Sequence, residues 1–161
     1  MQKYTICVIS DSHGRKNDLF NLISENNFDY IFYLGDGLSD LDDLIYLENL
    51  DQDRIIKVKG NCDIFSAESA TIVTTINNVK VLLTHGHLFK VKYTIKELQD
   101  YASKQNVNLV CFGHTHKQFL QITGGTTLLN PGSLRNGDYA VVSLDENGGI
   151  GIDFKKVNDF E

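Results

Sequence analysis

The stretch Leu109-Val110-Cys111-Phe112-Gly113-His114-Thr115-His116 runs from an apolar strand through a glycine into two histidines two residues apart. Residues i and i+2 of an extended segment point to the same side. Two imidazoles aimed together from a strand's end make a pair of borderline-soft metal ligands. Four more segments have the same form, an apolar run that ends in a turn carrying Asp, Asn or His. Residues 4–10 precede Asp11-Ser12-His13-Gly14, and residues 30–34 precede Gly35-Asp36-Gly37. Residues 54–59 precede Gly60-Asn61-Cys62-Asp63, and residues 79–84 end in His85-Gly86-His87.

Between these strands the sequence has helical grain. Leu19, Phe20, Leu22 and Ile23 predict a helix over 17–25. A second helix is expected over 40–50, with Ser39 as its cap and Asp40, Asp42 and Asp43 near its positive end. The first half therefore reads β-α-β-α-β, a parallel layer with right-handed crossovers. In such sheets, sites lie outside the carboxyl ends of the strands, where the polar turns fall. The second half reads differently. A hairpin is expected over 70–84 around Asn77-Asn78, then a helix over 93–105 through Ile95, Leu98, Tyr101 and Ala102. Hairpins follow across Gly124-Gly125 and Asn147-Gly148, with a tight turn at Asn130-Pro131-Gly132-Ser133. The expected fold is α/β, one domain over 1–161, with two mixed sheets packed together and helices outside.

Composition bounds the function. With 161 residues, 42% apolar and 22% charged, the chain suits one sizeable core. No apolar run is long enough for a membrane span, and the short apolar N-terminal stretch reaches Asp11 too soon for a secretory signal. A net charge of −6 without a basic stripe disfavours stable nucleic-acid binding. Cys7, Cys62 and Cys111 are too few and scattered for a disulfide framework, which points to a reducing, cytoplasmic setting, with Cys7 and Cys111 as core residues.

Seven potential ligands stand at the strand ends: Asp11, His13, Asp36, Asn61, His85, His114 and His116. All five histidines of the chain, His87 included, lie in these turns. Singly, Asp11 reads as a helix cap, Asp36 as a turn residue and Asn61 as an Asx turn. Those readings do not explain why the histidines gather at the same turns. The mix suits two divalent ions of the Mn, Fe or Zn kind rather than Mg or Ca. Two such ions about 3.5–4 Å apart can clamp an in-line phosphoryl displacement and activate water near neutral pH.

The ordered set Asp-x-His, Gly-Asp, Gly-Asn-x-Asp, His-Gly-His and Gly-His-x-His resembles the calcineurin-like metallophosphoesterase superfamily. The short chain, Gly60-Asn61-Cys62-Asp63 and Asn130-Pro131-Gly132-Ser133 are most similar to its small YfcE-like phosphodiesterases. The resemblance implies an αββα sandwich and a phosphodiesterase that hydrolyses small phosphate diesters. It implies that Asp11, His13 and His116 hold one metal, that Asn61, His85 and His114 hold a second, and that Asp36 bridges them with a nucleophilic hydroxide. The expected ion is Mn²⁺, with Zn²⁺, Fe²⁺ or Ni²⁺ as alternatives. Phosphomonoesterase or nuclease activity, or a non-catalytic scaffold like a retromer subunit, are the other readings. A homodimer through open edges of the second sheet is a further expectation.

Many relatives carry histidine where this chain has Cys62. A thiol, with a pKa near ~8.5, is a poorer donor to a leaving oxygen than imidazolium. General-acid help is worth roughly 10²–10⁴-fold, so aryl esters are the favoured substrates. Cys62 also has a purely packing reading, and His87 either assists catalysis or supports the ligands. Asp63 is expected to hold its loop or orient a histidine. Arg135 is the nearest candidate phosphate clamp, with a solvated surface residue as the alternative.

Overall fold

The computed structural model describes residues 2–157; Met1 and residues 158–161 of the expected 1–161 domain lie outside them. Ten strands and three helices alternate in the order β1 (Lys3–Ile9), α1 (Lys16–Ser24), β2 (Tyr30–Tyr33), α2 (Leu38–Glu48), β3 (Ile55–Lys57), β4 (Thr71–Ile76), β5 (Val79–Thr84), α3 (Lys96–Gln105), β6 (Leu109–Cys111), β7 (Gln118–Thr123), β8 (Thr126–Pro131), β9 (Asp138–Asp145) and β10 (Ile150–Lys156). They form two five-stranded sheets, ordered β10-β9-β1-β2-β3 and β4-β5-β6-β8-β7. Both are mixed. β1, β2 and β3 run parallel, as do β5, β6 and β8, while β9, β10, β4 and β7 pair antiparallel.

Side-chain alternation explains the layering. Along β1, Ile6 and Val8 point into a core shared with Val81, Leu83, Leu109, Cys111 and Leu129 of the second sheet. Cys7 and Ile9 point the other way, onto Leu19 and Leu22 of α1 and Leu41 and Leu44 of α2. In the second sheet Leu82, Val110 and Leu128 face outward onto Leu98 and Ala102 of α3. Both faces of each central strand are covered, so these strands read as near-continuous apolar runs. The result is the expected αββα sandwich. Among the described residues, no helix is long and apolar enough to cross a membrane.

Three local expectations are corrected. Ser39 does not cap α2: the helix begins at Leu38, and its first amides are held by Asp63, far away in sequence. The third helix starts at Lys96 rather than at residue 93, because Lys90 takes a left-handed φ of 55° and the N–H groups of Tyr93 and Thr94 turn back to its carbonyl. Asn130 and Pro131 are the last residues of β8 rather than the start of a turn; the chain turns at Gly132, at φ 83°.

Candidate metal centre

The loops that leave β1, β2, β5 and β6 meet at one end of the sandwich. Two groups of side chains converge there, with ligand atoms within 4.8 Å in each: Asp11, His13 and His116, and Asp36, His85 and His114. His85 joins them, its Nε2 lying 3.2 Å from Asp36 Oδ2 and 3.8 Å from Asp11 Oδ1. His116 Nε2 is 3.1 Å and His13 Nε2 is 3.6 Å from Asp11 Oδ1. His114 Nδ1 is 3.2 Å from His85 Nε2. Asp11, His13, Asp36, His114 and His116 all adopt positive φ, between 43° and 71°. This backbone region costs non-glycine residues roughly 1–3 kcal/mol each and gathers at functional sites.

The surrounding backbone fixes each donor. His85 is fully buried, and its Nδ1–H donates to the Leu34 carbonyl at 2.7 Å, which turns Nε2 into the cluster. Asp11 is also fully buried: its carboxylate accepts from Ser10 Oγ and from the His114 N–H, and its carbonyl from Ser133 Oγ and the Arg135 N–H. Asn130 Nδ2 donates to the Gly113 carbonyl and to Thr115 Oγ1, bracing the turn that carries His114 and His116. Thus the Asn130-to-Arg135 segment supports both ligand loops through its amides and hydroxyl. Arg135 itself is exposed, and its carbonyl accepts from Arg15 Nη1.

Two carboxylates act as supports, Asp63 as expected and Asp40 beyond the reading of the sequence. Asp63 Oδ2 accepts the N–H groups of Asp36 and Gly60, and Oδ1 those of Gly37 and Leu38. Asp40, nearly fully buried, accepts from Ser12 Oγ at 2.7 Å and the Gly14 N–H at 2.9 Å, so it ties α2 to the loop of Asp11 and His13. An acid in a helix's first turn was the available signal for Asp40, but it reads equally as a solvated charge. Asp42 and Asp43 are the solvated ones, paired with Lys57 and Lys16.

The electrostatics pair a charged carboxylate with imidazoles shifted in both directions. Burial alone would raise the Asp36 carboxyl, but the His85 imidazole and the Cys62 N–H at 2.8 Å hold it well below the usual range. Burial works to lower His85, yet Asp36 and Asp11 overcome it and raise the imidazole. Burial and the charges of His85 and Lys92 bring His114 down to about 4, leaving a neutral ring with a free lone pair at pH 7. Burial and His85 likewise lower His87. The buried His13 Nε2 and His87 Nδ1 have no hydrogen-bond partner among the described residues. Unpartnered nitrogen beside clustered carboxylates is the chemistry of a divalent-cation site, so the residues present fit metal.

Of residues 61 and 62, Cys62 reaches the cluster through its backbone N–H, which donates to Asp36 Oδ1. Asn61 is exposed, and its amide's contact is with Cys62 Sγ at 3.6 Å. Cys62 is exposed too, and burial together with Asp36, Asp63 and Asp11 raises its thiol, which keeps it protonated. His87 lies with its ring 5.5 Å from that of His85 and 6.2 Å from that of His114.

Two glycines mark where the loops touch. A Cβ on Gly60 would fall 2.1 Å from Asp36 Oδ1, and one on Gly113 would fall 2.0 Å from Ser10 Oγ and 2.9 Å from Asp11 Oδ2. Gly113→Ala is therefore expected to push Asp11 away from His114 and to lower turnover at this site by ~10²-fold, the effect of roughly 1 Å of misplacement. Metal content and turnover, measured together, check this. Wild-type values for both would remove the close contact from the explanation.

The chain belongs to the calcineurin-like phosphoesterase superfamily, whose domain model matches residues 4–147. A probable metallophosphoesterase of Bacillus subtilis, YsnB, is 29% identical over 148 residues, covering 88% of this chain and 85% of that protein. The crystal structure of a predicted phosphoesterase from Streptococcus pneumoniae superimposes with a TM-score of 0.79 at 28% identity, over 97% of this chain and 91% of that one. Vps29 of Entamoeba histolytica, solved in complex with Zn²⁺, shares the fold at a TM-score of 0.70 and 22% identity, over 96% and 99% of the two chains.

Proposed function

We propose that the chain is a metal-dependent phosphodiesterase acting on small phosphate diesters. The observation that carries this reading is the convergence of Asp11, His13 and His116 with Asp36, His85 and His114 on a shared neighbour, His85. In this reading Asp11, His13 and His116 hold one divalent ion, Asn61, His85 and His114 hold another, and Asp36 serves both. Two divalent ions bound there supply Lewis-acid charge and make water a competent nucleophile near neutral pH. Water adds to phosphorus, one P–O ester bond breaks, and the departing oxygen leaves as the alcohol with a proton. The family membership supports metal-dependent phosphoester hydrolysis. The proposal takes residues 1–161 as one domain working in the cytoplasm, with Mn²⁺ as the metal.

The chain's own residues do the rest. Leu34 and Ser10 set the orientation of His85 and Asp11 by hydrogen bonds. Neutral His87 offers a hydrogen-bonding nitrogen to the phosphoryl oxygens. Cys62, held as a thiol, gives a leaving oxygen little proton help, so phenols leave faster than alkanols. Two clefts lie along the loops that carry or support the cluster, one of about 240 Å³ lined by Cys62 and Asp63 and one of about 550 Å³ lined by Thr115. A diester has two organic arms to seat and a monoester has one, which favours the diester.

The test is hydrolysis of bis(p-nitrophenyl) phosphate beside p-nitrophenyl phosphate, after chelator treatment and again with Mn²⁺. Diester turnover is expected to return with metal and to exceed monoester turnover. At a hundredfold excess over Kd, metal is expected to stabilise the fold by ~2.7 kcal/mol, raising Tm by roughly 5–10 °C. No turnover of either ester with two ions bound would favour a scaffold, the reading to which the shared fold of Vps29 lends support.

A further inference from the structure

The larger of the two clefts beside the cluster has a charge pattern of its own. It lies between the loop before α3 and the start of β7, and its volume of about 550 Å³ is that of a small-molecule site. Ile95, Phe112 and Phe119 line its apolar part, and the two phenyl rings meet edge-on at 6.0 Å. Thr115, one residue from both His114 and His116, forms part of its wall. Lys92 and Lys117 line it as well, and no acidic residue does.

In a chain of net charge −6, this is an uncommon concentration of free positive charge. The paired lysines of the described residues are Lys16, Lys57, Lys90, Lys96 and Lys156; Lys92 and Lys117 are not among them. The nearest helix offers them no acid, since Glu97 is taken by Lys90 and Asp100 by Lys96. The smaller cleft, beside Cys62, is lined instead by Asp42 and Asp63.

We propose that the lysine cleft receives one arm of the substrate and that this arm is a planar aromatic group bearing its own negative charge, an inference that rests on the phosphodiesterase reading. The partly exposed ring of Phe119 suits a flat group. Lys92 and Lys117 pair with its anion, so discrimination comes from attraction in this cleft.

The test compares kcat/KM for 4-carboxyphenyl p-nitrophenyl phosphate and phenyl p-nitrophenyl phosphate, which differ by one carboxylate. The wild type is expected to prefer the carboxylate by roughly five- to tenfold, as two partly exposed ion pairs allow. In the double variant Lys92→Glu/Lys117→Glu the ratio is expected to fall to about one or below. Lys3→Glu, at the far end of β1 from Asp11, makes the same kind of charge change and is expected to keep the wild-type ratio. A wild-type ratio near one, or a preference that survives in the double variant, overturns the inference. If neither ester is hydrolysed, the phosphodiesterase reading fails on its own, and the cleft is then judged by binding. Titration of ¹⁵N-labelled, chelator-treated protein with 1-naphthyl phosphate supports the cleft if amide shifts at Lys92, Thr115, Lys117 and Phe119 vanish in the double variant. Shifts elsewhere, or none, overturn it.

Discussion

Asp36→Asn is expected to lower kcat/KM for bis(p-nitrophenyl) phosphate by ~10³-fold and to leave the protein folded. Asparagine is among the residues that best tolerate the left-handed backbone found at this position, φ 61°. Its side-chain oxygen still accepts the Cys62 N–H that Asp36 Oδ1 accepts at 2.8 Å. What disappears is the negative charge that faces His85 at 3.2 Å and that any cation in the cluster would share. Losing one group that stabilises charge in the transition state is worth ~2.7–4 kcal/mol, and each 1.36 kcal/mol is tenfold in rate. Bound metal, measured by elemental analysis, is expected to fall below two ions per chain. Thermal melting of the chelated variant should lie within a few degrees of the wild type, because no backbone donor is orphaned. A variant that keeps two ions and a tenth of the wild-type rate would take Asp36 out of the chemistry.

The donors of this site were legible because chemistry concentrated rare residues at one kind of place. The sequence holds five histidines, and each stands in a turn that follows an apolar run. Since strands of a parallel layer end on the same side, turns far apart in sequence had to meet, and six of the seven expected donors do meet in the two groups. The layering was legible for a related reason: Ile6-Cys7-Val8-Ile9 is apolar at every position, and only a strand covered on both faces wants that. The supports were legible only in part, because they depend on backbone amides that a sequence does not display. Asp63 was expected to hold its loop, but the four amides it gathers were not, and Asp40 looks like any helix-start acid until its partners are known. The lysine cleft was hidden by one boundary. A helix running from residue 93 would have carried Tyr93, Thr94 and Ile95 in α3; instead the chain turns at Lys90, and residues 91–95 become one wall of the cleft. Helix ends are where local propensity decides least, and here the left-handed residue decided.

Asp63→Ala is expected to cost about 3–5 kcal/mol of stability, seen as a Tm lower by roughly 6–20 °C, and to weaken metal retention at the same time. One carboxylate takes four amides: Asp36 and Gly60 at 2.7 Å on one oxygen, Gly37 and Leu38 at 3.0 Å on the other. Each amide left without a partner away from water costs ~1–3 kcal/mol, and water reaching this half-buried loop recovers part of that. The first amides of α2 also lose the negative charge at the helix's positive end, worth ~0.3–1 kcal/mol. Stability and function are coupled here because the four amides belong to two loops. Gly60 leads to Asn61 and Cys62, while Asp36 is the carboxylate expected to serve both ions, so releasing Asp63 frees one loop from the other. Asp63→Asn distinguishes a hydrogen-bond role from a charge role. Asparagine keeps one oxygen but sets an NH₂ group against two amide donors, so it is expected to melt close to the alanine variant rather than close to the wild type. If Asp63→Ala melts within 2 °C of the wild type and holds its metal, the four amides have other partners in solution and the loops are fixed by something else.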